Sequence, residues 1–250
     1  MQINNNSIGP GNRTYIIAEM SGNHCGKIEY ALAIIRAAKE VGADAVKLQT
    51  YTPDTITLNC KKEDFVIPSD NPWADSSTLY ELYEKAYTPW EWHEQLFNEA
   101  KKIGIDIFSS PFDHTAVDFL EKLNAPAYKI ASPEITDIPL IKKVAATKKP
   151  VIISTGVAER EDIDLAMQTL KDGGATDVVL LKCTSSYPAP PESINLKTMV
   201  DFGKTFDCLF GLSDHTMGIG IPVAAVALGA SVIEKHFIIK KDNSSVDSFF

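Results

Sequence analysis

The sequence predicts an α/β protein of the (β/α)8 barrel class, and three features carry that prediction. Eight short apolar runs alternate with helix-like stretches in strict strand-then-helix order. Strands joined by helical crossovers build a parallel sheet, and eight such units favour closure into a barrel over an open sheet. Several helical stretches end in the same punctuation, Gly42-Ala43, Gly174-Ala175 and Gly229-Ala230, where glycine supplies a left-handed cap before the next strand. Finally, each strand gives way to polar residues where it ends, as barrel enzymes require.

Taken in order, the first strand is the apolar run at 15–20, and the first helix at 28–41 repeats Leu, Ile and Ala at three- and four-residue spacing. Strand two, 45–50, interrupts its apolar run with Lys47 and Gln49. A long connection at 51–77 follows, with Pro53, Pro68 and Pro72, and its length marks a lid or binding element. The helix at 89–103 leads to strand three at 105–109, and the helix at 115–123 to strand four at 127–131. Next come the helix at 138–146, strand five at 151–154, the helix at 160–171 and strand six at 178–183. Helix 192–202, strand seven at 208–213, helix 219–228 and strand eight at 232–237 complete the series. One domain, 1–250, is expected. Because the sequence reaches Phe250 soon after strand eight, the barrel is expected to lack its eighth helix in this chain.

With 250 residues and 44% hydrophobic content, the chain can bury a substantial core. Its net charge of -9 argues against nucleic acid and anionic membranes as partners, since phosphate backbones attract basic surfaces. No run approaches the 18 apolar residues of a membrane span, and the polar start lacks the character of a signal peptide. A cytoplasmic location is therefore expected. Cys25, Cys60, Cys183 and Cys208 have no CxxC spacing and read as reduced thiols, with Cys183 as packing in its strand.

The chemistry is expected at the C-terminal strand ends. There the sequence places Glu19, Asn23 and His24, Lys47 and Gln49, Ser109 and Ser110, and Lys129, Ser132 and Glu134. Further along come Ser154 and Thr155, Lys182, Thr184 and Tyr187, Ser213, Asp214 and His215, and Glu234, Lys235 and His236. Lys47 and Lys129 sit in apolar strands, a costly position for an ammonium group without an anion or hydrogen-bond partner; a phosphate or carboxylate would satisfy them. Strand alternation sets Ser213 with His215 on one face and Glu234 with His236 on another, so adjacent strands would bring both imidazoles to one metal ion. Each histidine alone reads more readily as a hydrogen-bonded core residue; the pair at matching strand ends points to metal ligation.

Motifs in register then resemble the sialic acid synthase family over essentially the whole chain. They are IAEMSGNH at 17–24, VKLQT at 46–50, SSPF at 109–112, YKIASPE at 128–134, ISTG at 153–156, KCTSSYP at 182–188, GLSDH at 211–215 and EKHF at 234–237. LYELYE at 79–84, TPWEWH at 88–93 and DSFF at 247–250 resemble the branch that forms pseudaminic acid more than the branch that forms N-acetylneuraminate. The resemblance implies condensation of phosphoenolpyruvate with an acetamido sugar, 2,4-diacetamido-2,4,6-trideoxy-L-altrose, releasing phosphate. It implies a divalent cation on His215 and His236, manganese first, with magnesium and cobalt as alternatives. Glu134 is implied as the group that orients or deprotonates water. Lys47, Lys129, Ser110, Ser132, Ser154, Ser213 and Thr184 are implied to bind phosphate and carboxylate, and Glu19, Gln49, Tyr187 and Asp247 to face the sugar or metal-bound water. The resemblance further implies a homodimer, and a C-terminal antifreeze-like domain that is absent from this chain. Alternatives are an N-acetylneuraminate or legionaminate synthase, a Schiff-base aldolase using Lys129 or Lys182, and a barrel fragment that binds sugar phosphates without turnover.

Overall fold

The computed structural model describes all residues except Pro72, 242–244, 246, 249 and 250. Pro72 of the long connection and Phe249 and Phe250 of the last motif therefore lie outside the described residues. The chain opens with an antiparallel hairpin, β1 (Gln2–Ile3) and β2 (Asn6–Ser7). The alternating series follows: β3 (Tyr15–Glu19), α1 (Ile28–Glu40), β4 (Ala45–Thr50), α2 (Pro53–Ile56), α3 (Leu79–Ala86), α4 (His93–Ile103) and β5 (Asp106–Pro111). It continues through α5 (His114–Lys122), β6 (Tyr128–Ile130), α6 (Ile138–Ala145), β7 (Val151–Ser154), α7 (Arg160–Asp172) and β8 (Val178–Cys183). Last come α8 (Leu196–Phe206), β9 (Leu209–Asp214), α9 (Gly220–Ala227) and β10 (Val232–His236).

Strands β3 to β10 form one closed parallel barrel, in which β10 pairs with both β9 and β3. Alternation along each strand sends every second side chain inward. Tyr15, Ile17, Ala45, Phe108, Ala127, Ile152, Val179, Leu181 and Val232 fill the lower lumen as one apolar cluster. Position 211 on β9 has to be glycine, because a Cβ there would lie 2.1 Å from the Val232 carbonyl oxygen. The outward faces pack against the helices, with Val46, Leu48, Ile34, Ile35 and Leu96 on one side and Ile130, Ile153, Leu180, Leu140 and Leu170 on the other. Each such fully buried side chain contributes about 1.5–3 kcal/mol. The glycine caps take the expected left-handed conformation, with φ of 88° at Gly42, 90° at Gly174 and 97° at Gly229.

The hairpin closes the floor. Ile3 and Ile8 join the lumen cluster, and Asn4 and Asn6 donate to the Asp106 carboxylate at 2.7 and 2.8 Å, with the Tyr15 hydroxyl donating to it at 2.7 Å. Two-residue strands in an asparagine-rich run show no periodicity, so the sequence gives no sign of them.

Several boundaries differ from expectation. The helix expected at 192–202 lies at Leu196–Phe206, because Pro191–Ser193 forms a 3-10 turn and Asn195 takes a left-handed φ of 49° before the helix begins. The helix expected from 89 starts with a 3-10 turn at Trp90–Trp92. The long connection is more ordered than a loop: it contains α2 and a 3-10 turn at Glu63–Phe65, and Val66 bridges Thr78, whose side chain caps α3. Among the described residues no helix follows β10 and none is long and apolar enough to cross a membrane.

Candidate active site

Above the apolar lumen, the next inward layer is polar. Lys47 on β4 forms an ion pair with Glu19 on β3 at 2.8 Å and lies 3.5 Å from Glu234 on β10. Glu234 also lies 3.6 Å from Lys129 on β6 and accepts from Ser213 Oγ at 2.8 Å. Glu19 accepts further bonds from Gln49 Nε2 at 2.9 Å and the Ser21 amide at 3.2 Å, while Lys47 donates to Ser110 Oγ at 3.3 Å. All four charged groups are buried, at 5% exposure or less.

Carboxylates of the chain itself, Glu19 and Glu234, thus meet the need of the buried lysines for a partner. Glu234 is the member that sequence reasoning left without a role; its alternation with His236 places it inward, but only barrel closure sets it between two lysines. Burial pulls the Lys47 ammonium down, yet Glu19 and Glu234 outweigh burial and raise its pKa. Lys129 is shifted the other way, by burial first and by the nearby Lys47 charge, against the pull of Glu234. The Glu234 carboxyl resists burial and is held below its usual range by Lys129 and Lys47.

Glu134 lies in the 3-10 turn Pro133–Thr136 after β6. Burial pushes its carboxyl up to about 7, even though Lys129 and Lys47 pull downward. Its Oε2 is buried with no hydrogen-bond partner among the described residues, and the same holds for Ser154 Oγ at the end of β7. Helix capping is not its task, since Asp137 accepts from the Leu140 amide to cap α6. Beside it, Ser132 Oγ accepts from the Gly156 amide at 2.9 Å.

The two histidines meet at the rim. His215 follows β9 and His236 ends β10, and these neighbouring strands hold the rings with centroids 5.4 Å apart. His215 Nδ1 donates to the Thr184 carbonyl at 3.0 Å, which sets its tautomer and puts the lone pair on Nε2. His236 Nδ1 faces Asp247 Oδ2 at 3.3 Å; burial lowers the affinity of the ring for a proton, but Asp247 more than restores it. Outer partners of this kind orient ligating imidazoles. The Tyr187 ring lies 4.3 Å from His215 and 6.2 Å from His236. Among the described residues no group of three or more His, Cys, Asp or Glu side chains could hold a metal. The two imidazoles alone would leave most positions around an ion to water or substrate.

Other candidates fall elsewhere. Cys183 is buried in its strand as expected; its Sγ lies 3.9 Å from His215 Nδ1, and although burial pushes the thiol up, His215, Ser132 and Lys129 bring it down to about 7. Lys182 points out of the lumen and donates to the Cys183 carbonyl at 2.6 Å and Thr184 Oγ1 at 3.2 Å, so it is not placed for an imine in the barrel. Ser109 faces outward to Thr50, which lies 2.9 Å from His93 Nε2. His24 is fully buried and packs edge-on against Trp92, and Lys235 pairs with Asp214 at 2.6 Å. Asp247, next to the chain end, is buried against His236 and lines the cavity with Gln49 and Tyr187.

Comparison with known proteins gives the same region a context. A profile described as the NeuB family matches residues 34–250. The chain is 50% identical to a pseudaminic acid synthase from Campylobacter jejuni, over 100% of this chain and 72% of that protein. A pseudaminic acid synthase from Helicobacter pylori is 49% identical over 94% of this chain and 68% of its own length. Among solved structures, an N-acetylneuraminic acid synthetase from Leptospira borgpetersenii, in complex with citrate, superposes with a TM-score of 0.86 at 31% identity, covering 99% of this chain and 81% of that one.

Proposed function

The chain belongs to the NeuB family, and from that premise we propose that it is a pseudaminic acid synthase. It joins phosphoenolpyruvate to 2,4-diacetamido-2,4,6-trideoxy-L-altrose with water, forming a carbon-carbon bond and releasing phosphate. The observation that carries the reading is 50% identity to such a synthase along the whole chain, with the charged layer and histidine pair at one barrel mouth.

In this reading phosphoenolpyruvate lies deepest. Lys47 and Lys129 exchange part of their pairing with Glu19 and Glu234 for the phosphate and carboxylate, and Ser110, Ser132, Ser154, Ser213 and Thr184 donate hydroxyl hydrogens. Ser154, whose buried hydroxyl has no partner among the described residues, gains one when the anion arrives. The enol carbon attacks the sugar aldehyde; the carbonyl π bond opens to an oxygen that takes up a proton, and carbon two is left electron-poor. Water adds there, Glu134 takes one of its protons, and the tetrahedral adduct expels phosphate as the carbon-oxygen bond breaks and the remaining hydroxyl loses its proton to give the ketone. A carboxyl with a pKa of about 7 is matched to that proton transfer. Glu19, Gln49, Tyr187 and Asp247 orient the sugar hydroxyls and water.

A divalent cation, manganese by preference, would be held by His215 and His236 and would polarise the aldehyde as a Lewis acid. A homodimer in the cytoplasm completes the proposal.

The deciding experiment is phosphate release from phosphoenolpyruvate with manganese, offering the trideoxy sugar and N-acetylmannosamine side by side. Turnover that selects the trideoxy sugar supports the reading; selection of N-acetylmannosamine, or release with neither, overturns it. Sedimentation velocity tests the dimer.

A further inference from the structure

Beyond the catalytic rim lies a cavity of about 350 Å³ with two unlike walls. The rim side is polar, with Gln49, Asp247 and His236. The connection after β4 and α3 supply the other side, mostly apolar with Ile67, Trp73, Leu79 and Leu82 beside Tyr51 and Tyr83, and with Asp64 and Asn71 as its polar members. Neither lysine nor arginine lines the cavity among the described residues.

The apolar wall is built and held. Ile67 N donates to the Ser77 carbonyl at 3.1 Å, and Lys85 ties α3 back through Ser76 Oγ at 2.9 Å. Tyr51, 2% exposed, packs edge-on against Tyr83 at 5.5 Å and Phe112 at 5.3 Å. Trp73 meets Tyr187 edge-on at 6.2 Å, so the aromatic surface runs from the connection to the histidine pair. A ligand held by its carbonyl at the histidines and by its hydroxyls at the polar rim has its far end against this wall.

We infer that this wall determines specificity by taking the methyl group at the distal end of a 6-deoxy acetamido sugar, and discriminates against sugars with a hydroxyl there. The inference rests on the functional reading above and deepens it. A hydroxyl pressed against the Leu79 and Leu82 side chains loses water without gaining a partner there, and apolar pockets reject an added hydroxyl by up to about 100-fold. The expected preference is about 10- to 100-fold in kcat/KM.

The test compares 2,4-diacetamido-2,4,6-trideoxy-L-altrose with its 6-hydroxy counterpart at saturating phosphoenolpyruvate, in the wild type, L82N and L79N. A wild-type preference for the 6-deoxy sugar that falls about tenfold in either folded variant supports the inference. Turnover of both sugars at similar kcat/KM in the wild type overturns it, as does a preference unmoved in both variants. If neither sugar turns over, the functional reading fails instead and binding decides the wall by calorimetry. Tenfold tighter binding of the 6-deoxy sugar then supports it, and equal or no binding overturns it.

Discussion

Lys47 reaches Glu19 at 2.8 Å across β3 and β4, with both side chains buried and Glu234 completing the group from β10. The mouth of the barrel thus stores its positive charge against internal carboxylates. Breaking such a group from one side leaves a buried charge uncompensated, which is far costlier than removing the whole group.

Accordingly, Lys47→Met is expected to destabilise the fold by about 3–5 kcal/mol, and adding Glu19→Gln to recover a sizeable part of that loss. Urea denaturation of the two single variants and the double variant measures the coupling; strictly additive effects would contradict the charge-pairing account.

Glu134→Gln is expected to lower kcat by about 10²–10⁴-fold, with a smaller change in KM for phosphoenolpyruvate. The base must be ionised, so the wild-type rate should fall as pH drops through about 7, and this acidic limb should be missing from the residual activity of the variant. A wild-type profile flat between pH 6 and 8 would remove Glu134 from the proton transfer.

The same carboxyl makes a stability prediction of defined sign. Its folded pKa is raised to about 7, so below the unfolded carboxylate range both states are protonated and no penalty exists. As pH rises towards and past 7, the folded state resists an ionisation that the unfolded state accepts, and stability is lost. The Tm of Glu134→Gln relative to wild type should therefore be higher at pH 8 than at pH 4.5, as differential scanning calorimetry can check.

His215→Ala and His236→Ala are each expected to cut manganese-dependent phosphate release by at least about 10³-fold, while circular dichroism shows the barrel intact. Full activity of the double variant after chelator treatment would refute the role of the pair.

Most of the barrel was legible because alternation and helical spacing are local signals. The pairing of β9 with β10 followed from strand order once eight units were counted, which is why two distant histidines could be set side by side. Elements governed by single backbone choices were less visible. The left-handed Asn195 shifts α8 by four residues relative to the expected start at 192, a displacement that no hydrophobic pattern records. Helix α3 lies between the connection at 51–77 and the helix expected from 89, in a stretch given no element, although its Leu-Tyr-Glu-Leu-Tyr-Glu run was noticed as a motif. In the site, inward residues followed from alternation, whereas the partners of Lys47 and Lys129 depended on closure of the barrel across β10 and β3. The shifted Glu134 carboxyl likewise reflects three-dimensional burial that sequence spacing does not encode.

The stopper formed by Ile3 and Ile8 has a kinetic corollary. With the lower end sealed, a substrate that the proposed reaction seats on Lys47 and Lys129 would enter at the histidine-lined end and lie beneath whatever docks above it. Loading should then be sequential, with the three-carbon phosphoester admitted ahead of the sugar. Inhibition by excess sugar, competitive against phosphoenolpyruvate, is the signature of a queue entered in the wrong order.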